Sequence, residues 1–143
     1  MKHEEIVSNS PEETFELGEK IGESLIGGEI VLLHGGLGTG KTLLTKGILN
    51  GLDFDIDEVT SPSFTLVNLY RATFDVYHID LWRIEGGDAA AAVGLDEILE
   101  DEKAVVIIEW AERLGPRRFA GKVLHVNLAG DGDEPRKIAL DIA

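Results

Sequence analysis

The chain has 143 residues, enough for one domain and a substantial core, since a domain of this size buries about two thirds of its unfolded surface. Its 27 acidic against 13 basic residues give a net charge of -14, an averaged field that repels polyanions and argues against tight, independent binding of nucleic acid. Cysteine is absent, which removes disulfides, thiolate metal sites and cysteine nucleophiles; no apolar run nears the roughly 18 to 20 residues of a bilayer span, and Met1 to Glu5 has no signal-peptide character, so a cytoplasmic protein without membrane attachment is expected.

In chain order, Ser10 is a candidate N-cap with Pro11 at the first helical position and Glu13 completing a capping box. A helix follows, carrying Phe15, Leu17, Ile21, Leu25 and Ile26 at largely helical spacing, with Gly27-Gly28 as the stop. Residues 29 to 34 are apolar on both faces, the pattern of a central parallel strand covered on each side. A glycine-rich turn leads into a helix from Lys41, with Leu43, Leu44, Ile48 and Leu49 as its buried stripe. Residues 64 to 70 and 73 to 79 read as an antiparallel hairpin turning at Arg71-Ala72. Residues 88 to 100 read as helical with a break near Gly94 and Asp96 as a second cap. Ala104 to Ile108 is a further buried strand ending in Glu109-Trp110, and 122 to 129 with 137 to 143 suggest a closing hairpin at a sheet edge. The expected fold is α/β: a single three-layer, P-loop NTPase-like domain over 1–143 with a mixed, mainly parallel central sheet and antiparallel hairpins.

Gly35-Gly36-Leu37-Gly38-Thr39-Gly40-Lys41-Thr42 fits G-x-x-x-x-G-K-[ST] and sits between a buried strand and a helix, the context that gives this short pattern meaning. Its glycines let successive N–H groups turn inward as an anion nest at the positive end of the next helix. Gly36 to Leu43 is therefore the expected phosphate-binding stretch, with Lys41 reaching the terminal phosphates and Thr42 offering its hydroxyl to Mg2+. Such a site also needs an acid at the end of a neighbouring strand. Glu109, after the more completely buried run, is the better metal-facing candidate; Asp80 is suited to orienting the attacking water, touching the metal, or both. The competing reading is that either acid merely caps the next element or pairs with Arg83 or Arg113, a reading weaker for both together than for one alone. Thr60 and Ser63 lie in a hydroxyl-rich segment, 60 to 65, where many P-loop proteins sense the terminal phosphate, with an ordinary turn as the competing reading. The four histidines lie far apart without ligand-like spacing and read as structural or surface residues; Trp82 and Trp110 read as core, with a lid as the alternative, and Arg117-Arg118 as a solvated turn, with phosphate binding as the alternative. No Asn/Thr-Lys-x-Asp or Asp-x-x-Gly sequence occurs, which favours ATP over GTP.

Over nearly its whole length the chain resembles the bacterial TsaE (YjeE) family of small P-loop ATPases. The resemblance rests on Ser10 to Thr14 with Leu17-Gly18, the loop Gly35 to Thr42, Thr60 to Val67 with Tyr70, His78-Ile79-Asp80-Leu81-Trp82-Arg83, Gly94 to Glu97, and Ile108 to Arg113. It implies a Mg2+-dependent ATPase subunit supporting threonylcarbamoyladenosine modification of tRNA with TsaB and TsaD partners, tRNA being met only through that complex. It also implies functional positions at 60 to 65, Asp80 and Glu109. The family usually has Asp at 36, Thr at 63 and Tyr at 82, where this chain has Gly36, Ser63 and Trp82. The alternatives are a small-metabolite kinase, which needs an acceptor pocket and lid arginines, for which only Arg113, Arg117 and Arg118 offer themselves, and a module that binds nucleotide without turnover.

Overall fold

A computed structural model describes residues 2–36, 38–59, 66–84 and 88–142. In chain order the elements are β1 (Lys2–Ser8), α1 (Pro11–Ser24), β2 (Ile30–His34), α2 (Lys41–Gly51), β3 (Val67–Arg71), β4 (Asp75–Asp80), α3 (Ala89–Val93), α4 (Leu95–Ile98), β5 (Val105–Glu109), β6 (Val123–Ala129) and β7 (Arg136–Ile142). The strands form a seven-stranded mixed sheet in the order β1-β7-β6-β2-β5-β4-β3. Its centre is parallel, with β2 between β6 and β5 and β5 beside β4. Antiparallel pairs flank that centre: β6–β7 and β7–β1 on one side, β4–β3 on the other.

Both faces of β2 and β5 are buried, as their unbroken apolar runs require. Val31, Leu33 and Ile107 pack against Ile21 of α1 and Leu44, Ile48 and Leu49 of α2. Ile30, Leu32, Val106 and Ile108 pack the opposite way, against Ala89, Ala90 and Leu95 of α3 and α4. Each such aliphatic side chain stabilises the fold by about 1.5 to 3 kcal/mol through burial, so these two layers fix the sheet's position between the helices.

Helix α1 starts as its sequence dictates. Ser10 accepts from the Glu13 amide at 3.1 Å, and the Glu13 carboxylate reaches back to the Asn9 amide at 2.8 Å. It packs closely on α2, because glycines of each helix meet backbone of the other. A Cβ at Gly18 would stand 2.4 Å from the Leu44 carbonyl, one at Gly22 2.2 Å from that of Ile48, one at Gly47 2.2 Å from that of Phe15, and one at Gly51 2.4 Å from that of Glu19.

Four local expectations change. Strand β1 was not foreseen: Lys2-His3-Glu4-Glu5 has no apolar alternation, and it is a strand because its backbone pairs with β7 from Lys2↔Ile142 to Ser8↔Arg136. The β3–β4 turn comprises 72 to 74, with Arg71 paired to Asp75 inside the ladder; Thr73 is drawn to the end of α2, giving both its amide and hydroxyl to the Leu52 carbonyl. Asp96 is not a cap. Gly94, at φ 66, ends α3 and opens α4, and Asp96 instead binds Arg117, which is thus an ion-pair partner rather than a solvated turn residue. Helix α1 ends at Ser24, before Gly27-Gly28, with Leu25 already extended. No described helix is long and apolar enough to cross a membrane.

Candidate functional site

Strand β2 ends at His34, and the chain turns through Gly35 to Gly40 into α2. Gly38 (φ 76) and Gly40 (φ 103) hold left-handed backbone that a side chain would strain by about 1 to 2 kcal/mol. Gly40 caps α2 without a side-chain acceptor, so the first-turn amides of an 11-residue helix have no side-chain cap and face the loop. Thr39 Oγ1 donates to the Gly36 carbonyl at 2.9 Å and Lys41 Nζ to that of Gly35 at 2.5 Å, which fixes the turn from within. A Cβ at Gly36 or Gly38 would meet nothing within 4 Å, so a polyphosphate can approach the loop backbone there. The donor set fits such an anion: backbone amides, one ammonium and the helix dipole. Thr42 follows Lys41 at the second position of α2, half-buried; Leu43 is half-buried too, and Leu37 lies outside the described residues.

Both acids stand at carboxyl ends of the parallel strands, the side of an open α/β sheet where ligands bind. Register places Glu109 between Leu33 of β2 and Asp80 of β4. They are 3% and 6% exposed, which is expensive for carboxylates without cationic company. Burial pushes the Asp80 carboxyl above its usual range and the Glu109 charge adds to this, against the Trp82 amide, His78 and Lys41. Burial likewise lowers the Lys41 ammonium, opposed by the attraction of Glu109, Glu112 and Asp80. Asp80 Oδ1 accepts from the Trp82 amide at 3.0 Å, so this acid caps the next turn while facing the loop lysine electrostatically. Glu109 Oε2 is held by His78 Nε2 at 2.5 Å. Arg113 turns from the acids to the Ile84 carbonyl, at 2.7 Å. Among the described residues no group of three or more His, Cys, Asp or Glu could hold a metal alone. Glu109 and the Thr42 hydroxyl suit a hard cation that takes its other oxygens from phosphate and water, the usual way Mg2+ is bound. Thr60 and Ser63 lie outside the described residues.

Several features here had no sequence signal. Trp110 is not plain core: at φ 58 it holds backbone rare for a bulky residue, and its ring lies 3.9 Å beneath the Lys41 ammonium. His34 and His125, 91 residues apart, stack with ring centroids 5.6 Å apart and a 3.3 Å N···N contact, while the other nitrogen of His34 meets Glu112 at 3.3 Å. Pairing of β2 with β6 makes them neighbours, a contact that their separation in sequence does not signal. A cavity of about 290 Å³ opens beside the loop, walled by Ser10 and Pro11 of the α1 start, Thr39, Gly40 and Leu43, and the β6–β7 turn. Arg136 ties that turn to the loop: Nη2 reaches the carbonyls of Gly38 and Gly132, each at 3.0 Å, and Nη1 that of Glu134 at 2.5 Å. A larger cleft of about 810 Å³ lies at the far ends of α1 and α2, beside Glu19, Glu23, Asp53 and Asp55, and has no phosphate-binding loop.

Comparison with known proteins points to one family. The family model described as "Threonylcarbamoyl adenosine biosynthesis protein TsaE" matches residues 8–138. A Mycobacterium tuberculosis protein named tRNA threonylcarbamoyladenosine biosynthesis protein TsaE is 39% identical over 116 residues, 74% of this chain and 67% of that protein. Identically named proteins of Treponema pallidum and Aquifex aeolicus are 36% and 35% identical, covering 76% and 78% of this chain and 78% and 80% of their own. The crystal structure of Bacillus subtilis YdiB superposes with a TM-score of 0.72 at 29% identity, over 97% of this chain and 84% of that one. The matched span takes in the phosphate loop, both strand-end acids and the helix start that walls the cavity, and the chain belongs to the TsaE family.

Proposed function

We propose that this chain, acting as one domain, is a Mg2+-dependent ATPase in the cytoplasm that supports threonylcarbamoyl modification of tRNA adenosine together with TsaB and TsaD. The observation that carries the reading is the meeting of Lys41, Asp80 and Glu109 at the carboxyl ends of adjacent parallel strands, beside a loop whose backbone is open to phosphate. A net charge of -14 suits a subunit that leaves tRNA to its partners.

In this reading loop amides from 36 to 42 cradle the phosphates, Thr39 braces the turn, and Lys41 leaves the Trp110 face to meet the terminal phosphates. The nucleoside enters the cavity between the α1 start and the β6–β7 turn, whose mouth Arg136 holds. Thr42 and Glu109 hold Mg2+, which supplies charge neutralisation at the transferring phosphoryl group. Asp80, whose carboxyl is held up by burial and therefore accepts a proton more readily, orients the attacking water. Thr60 and Ser63 belong to the segment expected to sense the terminal phosphate. Transfer to a metabolite is less well supported, because Arg113 and Arg117 are engaged by the Ile84 carbonyl and Asp96 rather than offered as a lid.

The test is ATP turnover and nucleotide binding by native protein, Lys41→Ala and Asp80→Asn, with and without the TsaB–TsaD pair. Lys41→Ala should abolish binding; Asp80→Asn should bind normally and lose about 10²- to 10⁴-fold in turnover. Native affinity and rate in Lys41→Ala would refute the site, and failure to associate with the pair would refute the assignment of partners.

A further inference from the structure

Glu109 has a buried histidine as its hydrogen-bond partner. His78 and Glu109 lie on neighbouring parallel strands, His78 paired with Ile107 and Asp80 with Glu109, so His78 sits one strand repeat below the acids on the face covered by α1 and α2. The imidazole is fully buried at 0% exposure and its Nε2 stands 2.5 Å from Glu109 Oε2. Among the described residues, its Nδ1 is a buried side-chain atom without a hydrogen-bond partner. A carboxylate oxygen only accepts, so the hydrogen of this bond is on Nε2, which donates it to Glu109. An orphaned buried nitrogen is destabilising, and an apolar side chain of similar volume would avoid it. What the imidazole supplies in return is one directed N–H, aimed at the acid that ends β5 beside β2.

We propose that His78 is a positioning residue for Glu109: its Nε2–H pins Oε2 from below and leaves Oε1 for the Mg2+ that Glu109 would hold. This rests on the reading of Glu109 as a metal-facing acid. Partners of this kind orient a ligating group, and their loss typically costs 10- to 100-fold in metal affinity or activity. Strand register brings the two side chains within reach of each other.

The experiment uses the full chain and measures ADP affinity with EDTA and with saturating Mg2+, the ratio reporting how strongly metal and nucleotide reinforce each other. Turnover of ATP is split into kcat and KM alongside. His78→Leu fills the space without the N–H and should reduce the Mg2+ reinforcement at least tenfold and kcat with it, leaving affinity in EDTA within about twofold. His78→Gln, whose amide nitrogen reaches the position of Nε2, should keep most of the native ratio; His78→Asn, whose amide stops at the position of Nδ1, should not. If His78→Leu does not fold, the Gln against Asn contrast decides alone, and equal ratios in those two overturn the proposal. Glu109→Ala separates the two readings. A native Mg2+ ratio there removes the metal-facing role of Glu109 and the proposal with it; a lost ratio there beside a native one in His78→Leu removes the role of His78 only.

Discussion

At the scale of single residues, the loop glycines divide into those the backbone demands and those it does not. Gly38 holds φ 76, whereas Gly36 has ordinary backbone and open space where a Cβ would go. Gly38→Ala should therefore strain the loop by about 1 to 2 kcal/mol and weaken nucleotide binding about tenfold. Gly36→Asp should fold with an unchanged melting temperature and tests whether a carboxylate there alters turnover. Calorimetric titration and thermal unfolding of both variants check this. His34 carries a pH prediction. Burial lowers its pKa from 6.5; His125 and Lys41 act in the same direction and Glu112 against. The unfolded chain then takes up its proton before the folded one does. Stability falls as pH drops through 6.5 towards the folded-state pKa, and the loss is complete below it. His34→Gln should lose less melting temperature than native protein between pH 7.5 and 5.5. His3, raised by its hydrogen bond to Asp141, acts in the opposite sense in both proteins and cancels in the comparison. Lys41, Thr42, Asp80 and Glu109 were legible because each follows a recognisable run. His78, His34, His125 and Arg136 were not, because their partners are 31, 91, 91 and 98 residues away.

At the scale of elements, the contact between α1 and α2 is the one most open to test. Gly18→Ala or Gly47→Ala pushes a methyl into the facing carbonyl at 2.4 or 2.2 Å, and because that neighbour is backbone the helices must separate. Overpacking of this kind costs about 1 to 3 kcal/mol, which for a chain of this size lowers the melting temperature by roughly 3 to 10 °C. Since α1 walls the cavity beside the loop and α2 begins at Lys41, the same variants should also weaken nucleotide binding, whereas Ser10→Ala should cost about 1 kcal/mol of stability. The helix starts and buried strands were readable within a residue or two, since caps and apolar runs are local. Strand β1, the three-residue turn of the β3–β4 hairpin and the role of Asp96 were not, because each is settled by a partner outside its own segment.

At the scale of the whole molecule, charge makes a prediction: with a net of -14 the chain alone should show no tRNA retention in filter binding at about 0.15 M salt, and retention should appear only with its partners present. The sequence by itself determined the layered α/β order, the phosphate loop and the strand-end position of both acids, because burial pattern, glycine placement and capping act over a few neighbouring residues. Tertiary structure alone decided which strands lie side by side, and with that everything depending on lateral register. Glu109 stands between Leu33 and Asp80, above a histidine that holds it, and the closing hairpin brings Arg136 to the loop. Strand order is a matter of long-range pairing, which no local run of residues encodes.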